Sequence, residues 1–367
     1  MPSTKTRSLA RRATMDDVAR LADVSKATVS AVLNSTFHVG DTTRERVLGA
    51  IAQLNYRAQH APRGRGRAER RSSLGVVIKE VDNPYYAEVV LGARDVAEEA
   101  GYALTVASSE GQHEAERRAV NALRANGIEG IMLTPVLDET ADLAHLFDLK
   151  RRNVPLVLLE RVRGLRASLV DVDNVRASRR ATDHLIARGH TRLAHFAGPA
   201  YSMHSQERIE GVRLASSSAS QIVLTDDDIV TTGAHLADGY RAALRYFGSR
   251  PAGERATGVT CYNDLVAIGV FRALRELGLR VPDDVSVVGF DDITLAEYAM
   301  VPLTTVRMPK RRMGALAAQM LIQQIESHTV LPPRSEMLES EIVERGSVAT
   351  ISTNGKRNGA RRAGAHE

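Results

Sequence analysis

The fold is decided first by residues 14–34, which read TMDDVARLADVSKATVSAVLN. Thr14 and Asp17 have the spacing of a capping box, with aspartate in place of the usual glutamate, and they predict the start of a helix. Ser25 precedes a second segment of helical periodicity, from Lys26 to Leu33, and predicts its N-cap. These residues therefore indicate two short helices separated by a tight break.

A third helix is predicted just downstream, because four apolar residues recur there at helical spacing: Val47, Leu48, Ile51 and Leu54. Thr42 or Thr43 is expected to cap it. Residues 57–73 then lose all apolar periodicity and are rich in arginine. They are interpreted as a basic linker that separates a small helical domain from the rest of the chain.

Charge is unevenly distributed along the 367 residues. Residues 1–70 hold 13 lysines and arginines against 6 acidic residues, and residues 351–367 hold 4 against 1. Residues 71–350 hold 32 basic against 37 acidic residues. A polyanion would therefore bind the two ends and be repelled by the middle, although basic ends also serve solubility alone.

Several classes of protein are disfavoured by composition. The single cysteine, Cys261, excludes an internal disulfide and argues against a cysteine zinc site. No stretch approaches ~20 consecutive apolar residues, and the first residues lack the apolar run that secretion needs. We expect a cytoplasmic protein without a membrane span, a metal or a cofactor.

From residue 74 onward, short apolar runs alternate with amphipathic helices. Strands are predicted at 74–78, 103–107, 130–133, 154–159, 192–197, 258–261 and 285–290. Helices are predicted at 87–100, 114–126, 176–188, 205–216 and 264–277. This alternation is typical of a parallel sheet with helices on both faces, and the series is long enough for two lobes in tandem.

Together these segments resemble the LacI/GalR family of regulators. The resemblance is carried by ordered stretches: 14–30, 32–34, 43–47 and 54–56 in the helical domain, and 82–86 (DNPYY), 263–269, 281–292 and 302–306 (PLTTV) beyond it. A single motif of this kind is weak, but an ordered series from about 14 to 345 is highly specific.

The resemblance implies an α/β protein, with an all-α helix-turn-helix head on a periplasmic-binding-protein-like core of two Rossmann-like lobes. An effector would bind between the lobes, and a homodimer would place two heads on a pseudo-palindromic double-stranded DNA operator. The expected divisions are a basic arm at 1–13, the head at 14–57, a hinge at 58–73, the core at 74–348 and a disordered basic tail at 349–367. Within the core we expect an N-lobe at 74–169 and 305–328 and a C-lobe at 170–304 and 329–348.

The first residues of the second helix are expected to meet base edges in the major groove. Lys26 can donate to guanine O6 and N7, whereas Ala27 can contact only an apolar group such as a thymine methyl. Ser25, Thr28 and Ser30 suit phosphate contacts, which position without specifying sequence. The resemblance adds further residues that face the DNA backbone: Thr14, Asn34, His38 and Tyr56. The alternative, above all for Ser25, is that these residues only cap helices and are solvated.

The hinge departs from the family pattern. Relatives usually have a short helix there, with a leucine that wedges into the minor groove, but Arg65 stands at the leucine position. Pro62 and two flanking glycines are poor helix residues. One hypothesis is a flexible arm in which Arg63, Arg65 and Arg67 follow a narrow minor groove. The other is an ordinary solvated linker.

Ligands of open α/β folds bind outside the carboxyl ends of the strands. The loops expected there supply carboxylates and amides for hydroxyl groups, together with aromatic faces for stacking: Asn83, Tyr85, Tyr86, Glu160, Arg161, Gln206, Asn263 and Asp291. Asp264, Asp291 or Asp292 can alternatively cap a helix. We expect a sugar or a sugar derivative as the effector.

Two departures bear on the effector class. Gln206 stands where many relatives have a sugar-binding arginine, and Arg208 is interpreted as structural. Ala234 aligns with a tryptophan platform of some relatives, and the chain has no tryptophan. The pocket is therefore predicted to suit a plain pyranose less well. Arg161 can add positive charge for an acidic or phosphorylated ligand, unless it simply pairs with Glu160.

Other classes of function fit the sequence less well. The serines at 216–218 have no neighbouring histidine–aspartate arrangement, and the histidines lack HExxH or HxxxH spacing. We therefore expect no enzyme. A transport binding protein would share the core but not the head at 14–55. A dimeric DNA-binding protein whose core binds no effector stays open as the alternative.

Overall fold

The protein was analysed as a computed structural model, which describes residues 13–34, 39–54, 56, 72–137, 142–200, 202–327 and 329–351. The described chain forms a small helical head and two α/β lobes, which confirms the predicted fold class. Most of the predicted arm, hinge and tail, including Arg63, Arg65 and Arg67, lies outside the described residues.

The head consists of three helices: α1 (Met15–Leu21), α2 (Lys26–Asn34) and α3 (Asp41–Gln53). The predicted capping box is present at α1. The backbone nitrogen of Thr14 donates to Asp17 Oδ2 at 2.8 Å, and that of Asp17 donates to Thr14 Oγ1 at 3.3 Å. Ser25 is confirmed as the cap of α2, because its Oγ accepts the N–H of Thr28 at 3.0 Å.

The cap predicted for α3 is wrong. The helix begins at Asp41 directly after Gly40, with no side-chain cap, so Thr42 and Thr43 lie inside its first turn. The three helices still enclose one small core, in which Val18, Val29 and Ile51 are fully buried and the other predicted apolar residues of the third helix, Val47, Leu48 and Leu54, take part. Helix spacing therefore located the core of the head correctly, whereas the residue that starts α3 was misjudged.

The N-lobe is built on a six-stranded parallel sheet. Its strands are β1 (Ser73–Ile78), β2 (Ala103–Ser108), β3 (Gly130–Leu133), β4 (Leu156–Leu158), β5 (Ser168–Val172) and β11 (Ser335–Leu338). Its helices are α4 (Pro84–Glu99), α5 (His113–Ala125), α6 (Ala144–Arg151) and α12 (Lys310–Glu326). The strand order is β11-β5-β4-β3-β1-β2.

The C-lobe contains a second six-stranded sheet, in the order β12-β10-β9-β8-β6-β7. Its strands are β6 (Leu193–Ala197), β7 (Ile229–Thr231), β8 (Gly258–Cys261), β9 (Ser286–Asp291), β10 (Thr304–Arg307) and β12 (Glu341–Val343), of which β12 alone is antiparallel. Its helices are α7 (Asn174–Ile186), α8 (Met203–Ser216), α9 (Leu236–Gly248), α10 (Asp264–Glu276) and α11 (Thr294–Tyr298). Two 3₁₀ turns, Asp226–Asp228 and Ala252–Glu254, complete it.

The chain crosses between the lobes three times, as expected, but at later residues. The first crossing follows β5, the second follows β10, and the third joins β11 to β12. The expected boundaries at 169/170 and 304/305 therefore fall at or inside strands, and residues 335–338 belong to the N-lobe sheet and not to the C-lobe. Sheet membership is decided by long-range pairing, which local sequence patterns do not carry.

Helix α4 begins three residues before its predicted start at residue 87. Asn83 caps it, because its Oδ1 accepts the N–H of Tyr85 at 3.1 Å, and Pro84 occupies the first turn. The helix then packs closely on α12 at two glycines. A Cβ on Gly92 would lie 1.9 Å from the carbonyl oxygen of Arg311, and one on Gly314 would lie 1.9 Å from that of Val89. This packing joins α12, which enters from the second crossing, to the N-lobe.

Candidate functional site

The first residues of α2 form the outward surface of the head. Ser25, Lys26 and Ala27 are exposed, while Thr28 and Ser30 are half-buried. Lys26 Nζ lies 2.9 Å from Asp16 Oδ2, an exposed pair that adds little stability and leaves the ammonium accessible. Short polar and cationic groups at an exposed helix start are the arrangement that reads a major groove.

The other residues predicted to face DNA are placed differently. Thr14 uses its hydroxyl to donate to Asp17 Oδ2 at 2.6 Å, within the capping box. Tyr56 is buried in the core of the head, with 6% of its surface exposed. Asn34 ends α2, but its side chain lies outside the described part of the chain, as does His38. Of the residues predicted to face DNA, Thr14 and the residues at the start of α2 (Ser25, Lys26 and Ala27) are exposed in the described chain.

A second polar centre lies between the lobes, at the carboxyl ends of their strands. Three of its residues come from the N-lobe, Lys79, Glu160 and Asp171, and three from the C-lobe, His204, Arg208 and Asp291. Because parallel strands end at the same edge of a sheet, β1, β4, β5 and β9 deliver four of these residues to one place. We call these six residues the cleft cluster.

In the N-lobe half of the cleft cluster, Lys79 Nζ donates to Glu160 Oε2 at 2.5 Å. The Glu160 side chain is fully buried and that of Lys79 is 19% exposed. Burial disfavours the charged forms of both side chains, but the attraction between opposite charges outweighs this cost. The pKa of Lys79 is raised by Glu160, and the pKa of Glu160 is lowered by His204 and Lys79. Both groups therefore stay ionised in the cleft.

His204, on the first turn of α8, connects the two halves of the cleft cluster. Its Nε2 lies 3.2 Å from Asp171 Oδ1, and its Nδ1 lies 3.9 Å from Glu160 Oε2. Burial alone would lower the pKa of His204, but these two carboxylates raise it above its ordinary value. These carboxylates favour the protonated imidazole, and His204 thus links a C-lobe helix to strand β5 and to the residue two positions after β4 in the N-lobe.

Arg208 lies one turn further along α8, and only 4% of it is exposed. Its Nε donates to Asn174 Oδ1 at 3.0 Å, and its Nη1 donates to the carbonyl oxygen of Tyr262. The guanidinium carbon lies 3.6 Å from the ring centroid of Phe290 and 4.7 Å from that of Tyr262. A cation held between aromatic rings in this way is a rigid donor surface.

Asp291 ends β9 with a φ of 108°, an unusual backbone conformation for an aspartate. Burial raises its pKa to about 6, an effect that the nearby cations of Arg208 and Lys310 oppose. It does not cap the next helix, whose N-cap is Ile293. Asp292 instead pairs with Arg307 and Arg345, both at 2.7 Å. Asp291 is therefore the carboxylate of this turn that belongs to the cleft cluster.

Two buried atoms at the cluster have no hydrogen-bond partner within the described residues: Glu160 Oε1 and His195 Nε2. The Nδ1 of His195 lies 2.9 Å from Thr260 Oγ1, and burial lowers the pKa of this histidine to about 3. His195 is therefore neutral near pH 7. Buried polar atoms are rarely left without a partner, so these two positions indicate where a ligand can donate or accept.

The remaining predicted effector residues divide into two groups. Tyr85 lies against both lobes and donates its hydroxyl to the Met313 sulfur at 3.5 Å. Asn263 is buried, caps α10 by accepting the N–H of Val266 at 2.8 Å, and donates to the Ala234 carbonyl oxygen at 2.9 Å. Asn83 and Asn263 are thus helix caps at the edge of the cleft, and Tyr85 is its aromatic wall.

The other three predicted residues are not members of the cluster, although the ring centroid of Tyr86 lies 5.1 Å from that of Tyr85. Tyr86 is buried in the N-lobe core, Arg161 is exposed, and Gln206 is exposed and donates to the Ala200 carbonyl oxygen at 2.6 Å. The expected alternative pairing of Arg161 with Glu160 is replaced by the pairing of Glu160 with Lys79. Gln206 thus lies on the surface in this structure, whereas Arg208, which the sequence led us to interpret as structural, is buried.

Sequence reasoning missed Lys79, Asp171 and His204, and it named Arg208 only as a structural residue. Lys79 directly follows β1, and this position at the carboxyl end of a strand was an available signal. Arg208 shares the buried face of α8 with Gly211, Val212 and Ala215, at spacings of three to four residues. Asp171 had no such signal, because strand β5 was not predicted at all.

At the mouth of the cleft, His235 Nε2 of the C-lobe lies 3.4 Å from Glu80 Oε1 of the N-lobe. With Asp82, they place one ligand atom each within 4.8 Å of one another, a spacing that a divalent cation can bridge. Asp82 and His235 are exposed. Exposed carboxylates commonly occur without a metal, so we assign this group only the contact between the lobes.

The fold and the two polar centres define a class: a helix-turn-helix domain joined to a two-lobed ligand-binding core. Residues 14–59 match the family described as bacterial regulatory proteins, lacI family, and residues 182–348 match the periplasmic binding protein-like domain. No helix of the described chain is long and apolar enough to span a membrane.

Relatives cover nearly the whole chain. The repressor PurR of Vibrio cholerae serotype O1 (strain ATCC 39315 / El Tor Inaba N16961) is 34% identical over 93% of this chain and 99% of its own. The ribose operon repressor of Escherichia coli (strain K12) is 34% identical over 91% and 99%. A complex of the regulator CelR with cellobiose has a TM-score of 0.67 and 32% identity, covering 92% of this chain and 100% of that one. The chain therefore belongs to the LacI family.

Proposed function

We propose that the protein is a transcriptional repressor that binds a pseudo-palindromic operator through α2 and is regulated by a small molecule bound between its lobes. The observation that carries this proposal is the cleft cluster, which has three residues on each lobe. The same chain also carries a helix-turn-helix head. A ligand that bridges the two halves favours one lobe orientation, and that orientation sets the position of the heads on DNA.

The charges of the cleft cluster favour a neutral effector. Its three basic residues (Lys79, His204 and Arg208) are matched by three carboxylates, and the ammonium of Lys310 beside Asp291 is already bound by the carbonyl oxygens of Asp291 and Asp292. Arg161, which sequence reasoning offered for an acidic or phosphorylated ligand, is exposed. Carboxylates and a guanidinium suit hydroxyl groups, and the ring of Tyr85 suits an apolar face. We therefore propose a neutral, hydroxyl-rich ligand of the sugar class.

An exposed apolar patch on the C-lobe supports a homodimer. Leu295, Tyr298 and Met300 are 48%, 76% and 61% exposed, in and just after α11. Adjacent exposed apolar side chains of this size commonly mark protein interfaces. The lac repressor structure with TM-score 0.65 and 26% identity is a dimer bound to operator. A second copy of this chain is the partner that we propose for the patch.

The linker hypothesis concerns residues outside the described part of the chain. We propose that Arg63, Arg65 and Arg67 contact the minor groove, because their cationic pattern persists where relatives have a leucine wedge. Replacing all three by alanine should make the dependence of operator affinity on salt concentration less steep. If the salt dependence of operator affinity did not change, the linker would be interpreted as an ordinary solvated segment.

Two linked measurements test the proposed function. Selection from random DNA duplexes by the full chain should yield a pseudo-palindromic consensus. Thermal shift against sugars, sugar acids, sugar phosphates and nucleosides should give hits among neutral sugars, and a hit should change affinity for the selected duplex. Binding of charged ligands alone would contradict the charge argument. A consensus without any ligand response would favour a DNA-binding protein that has no effector.

A further inference from the structure

The head of the protein rests on the N-lobe at the turn between α6 and β4. Arg152 Nη1 donates to the carbonyl oxygen of Val32 at 2.6 Å and to that of Leu33 at 3.4 Å. The next residue, Asn153, places its Nδ2 3.5 Å from the carbonyl oxygen of Tyr56. Two consecutive core residues thus contact the head at the end of α2 and just after α3.

The acceptors of Arg152 are the carbonyl groups that a helix leaves unpaired at its C-terminus, where the helix dipole is also negative. A guanidinium satisfies both needs at once. The head uses the same chemistry internally, because Arg46 Nη2 donates to the carbonyl oxygens of Ala22, at 2.5 Å, and of Asp23, at 2.8 Å, at the end of α1. Arg152 therefore serves α2 as Arg46 serves α1, but from another domain.

Arg152 is also held in place by a residue of helix α6. Its Nε donates to Asp148 Oδ2 at 2.8 Å, and only 8% of the residue is exposed. A buried cation must keep its partners, since an unpaired charge away from water is costly. The DNA-reading end of α2 stays free, because Lys26 is exposed. Docking at the C-terminal end of α2 is thus compatible with DNA contact at its N-terminal end.

Strand β4 joins this contact to the cleft. It begins three residues after Asn153, its three residues are buried, and Glu160 follows two residues after its end. At ~3.3 Å per residue, the path from Asn153 to Glu160 spans at most about 23 Å. One end of a rigid, buried element therefore holds the head, and the other end holds the buried carboxylate of the cleft cluster.

We infer that Arg152 is a positioning residue that holds the recognition helix against the N-lobe and links its orientation, through β4, to the ligand state of the cleft. The inference rests on the proposed function for its ligand dependence, but the docking itself does not. A surface formed by Asp148, Arg152 and Asn153 is accordingly an interface for the head and not a solvated helix end.

Docking is tested without any operator, by amide hydrogen exchange of the full chain. Arg152→Ala should accelerate exchange in residues 26–34 about tenfold while leaving β1 unchanged. Arg151→Ala is the matched control, because Arg151 pairs with the same aspartate at 2.9 Å but is 63% exposed in its side chain. Exchange in 26–34 that is equal in both variants would overturn the inference.

Coupling is tested on the duplex selected by the unmodified protein. Arg152→Ala should weaken binding about tenfold and bring the ratio of affinities with and without ligand towards one. Arg152→Lys should restore part of both, and Arg152→Ala should still bind the ligand, with at most the change in affinity that reciprocal coupling requires. An unchanged ratio in Arg152→Ala would overturn the coupling. If the unmodified chain selects no duplex, the proposed function fails, while the exchange experiment still decides on docking.

Discussion

The two lobes have the same topology but bring opposite charge to the cleft. The two strand orders correspond position by position. In each lobe the last strand in chain order lies at one edge of the sheet, and the second strand lies at the other edge. The N-lobe contributes one cation and two carboxylates to the cleft cluster, and the C-lobe contributes two cations and one carboxylate. The shared topology thus brings the six residues together at the carboxyl ends of the strands. Each lobe alone carries an unbalanced charge, which the other lobe compensates.

This difference assigns the lobes different roles in closure. The N-lobe already pairs Lys79 with Glu160 internally, whereas the carboxylates within 4.0 Å of the His204 ring nitrogens in the described chain, Glu160 and Asp171, lie across the cleft. Separating the lobes would therefore leave Asp171 and His204 to be solvated and would leave the Lys79–Glu160 pair intact. Cross-lobe ion pairing should then favour closure, and variants in the two halves should behave differently.

The largest effect is expected at Arg208 in the C-lobe half. Arg208→Met keeps much of the volume but removes the donors to Asn174 and Tyr262 and the cation near Asp291. Ligand affinity should fall about 100- to 1,000-fold, as is usual when a buried charged partner is removed. Calorimetric titration with the ligand found by the thermal-shift panel measures it.

Arg213→Ala provides the control for this variant, because Arg213 lies on the same helix, is 57% exposed in its side chain and pairs with Asp226. It should bind ligand like the unmodified protein. Arg208→Lys, which keeps the charge but not the forked geometry, should fall between the two. A ligand affinity in Arg208→Met within threefold of the control would remove Arg208 from the site.

A smaller effect is expected in the N-lobe half, at Glu160. Glu160→Gln keeps an acceptor for Lys79 but removes the compensating charge, so the free energy of unfolding should fall by about 2 kcal/mol. Denaturant titration at pH 7 measures this change.

The double variant Lys79→Met/Glu160→Gln tests whether the loss comes from the pair. Because no unpaired ammonium remains, it should recover most of the stability that Glu160→Gln loses. If the losses of unfolding free energy in Lys79→Met and in Glu160→Gln simply add in the double variant, the two side chains act independently. The N-lobe half of the cluster is then not a unit.

The same comparison shows what the sequence could and could not predict. Caps and helix faces of the head depend on residues three or four apart, so Thr14, Ser25 and the core of the head were found correctly. The cleft cluster depends on six residues from distant segments, and its members become neighbours only through strand order. Gln206 and Arg208 stand two residues apart on α8, about 200° around the helix, so one faces water and the other the cleft.

The smallest effect is expected at the contact between the halves, and it depends on pH. Because the pKa of His204 is raised in the folded protein, its contribution to stability is complete below the unfolded value of about 6.5. It is then lost as pH rises through the folded value. The stability of the unmodified protein relative to His204→Gln should therefore fall above pH 6.5, measured as thermal midpoints between pH 5 and 9.

His195 provides the contrasting histidine, because burial lowers its pKa to about 3 and it makes its hydrogen bond within the C-lobe. Its contribution has the opposite sign: the unfolded chain binds the extra proton, so stability rises with pH from about 3 to about 6.5 and is constant above that. His195→Gln should thus shift the midpoint by a constant amount above pH 7, where the effect of His204→Gln still changes. If the shifts in thermal midpoint of the two variants changed with pH in the same way in that range, protonation of His204 would not stabilise the contact between the lobes.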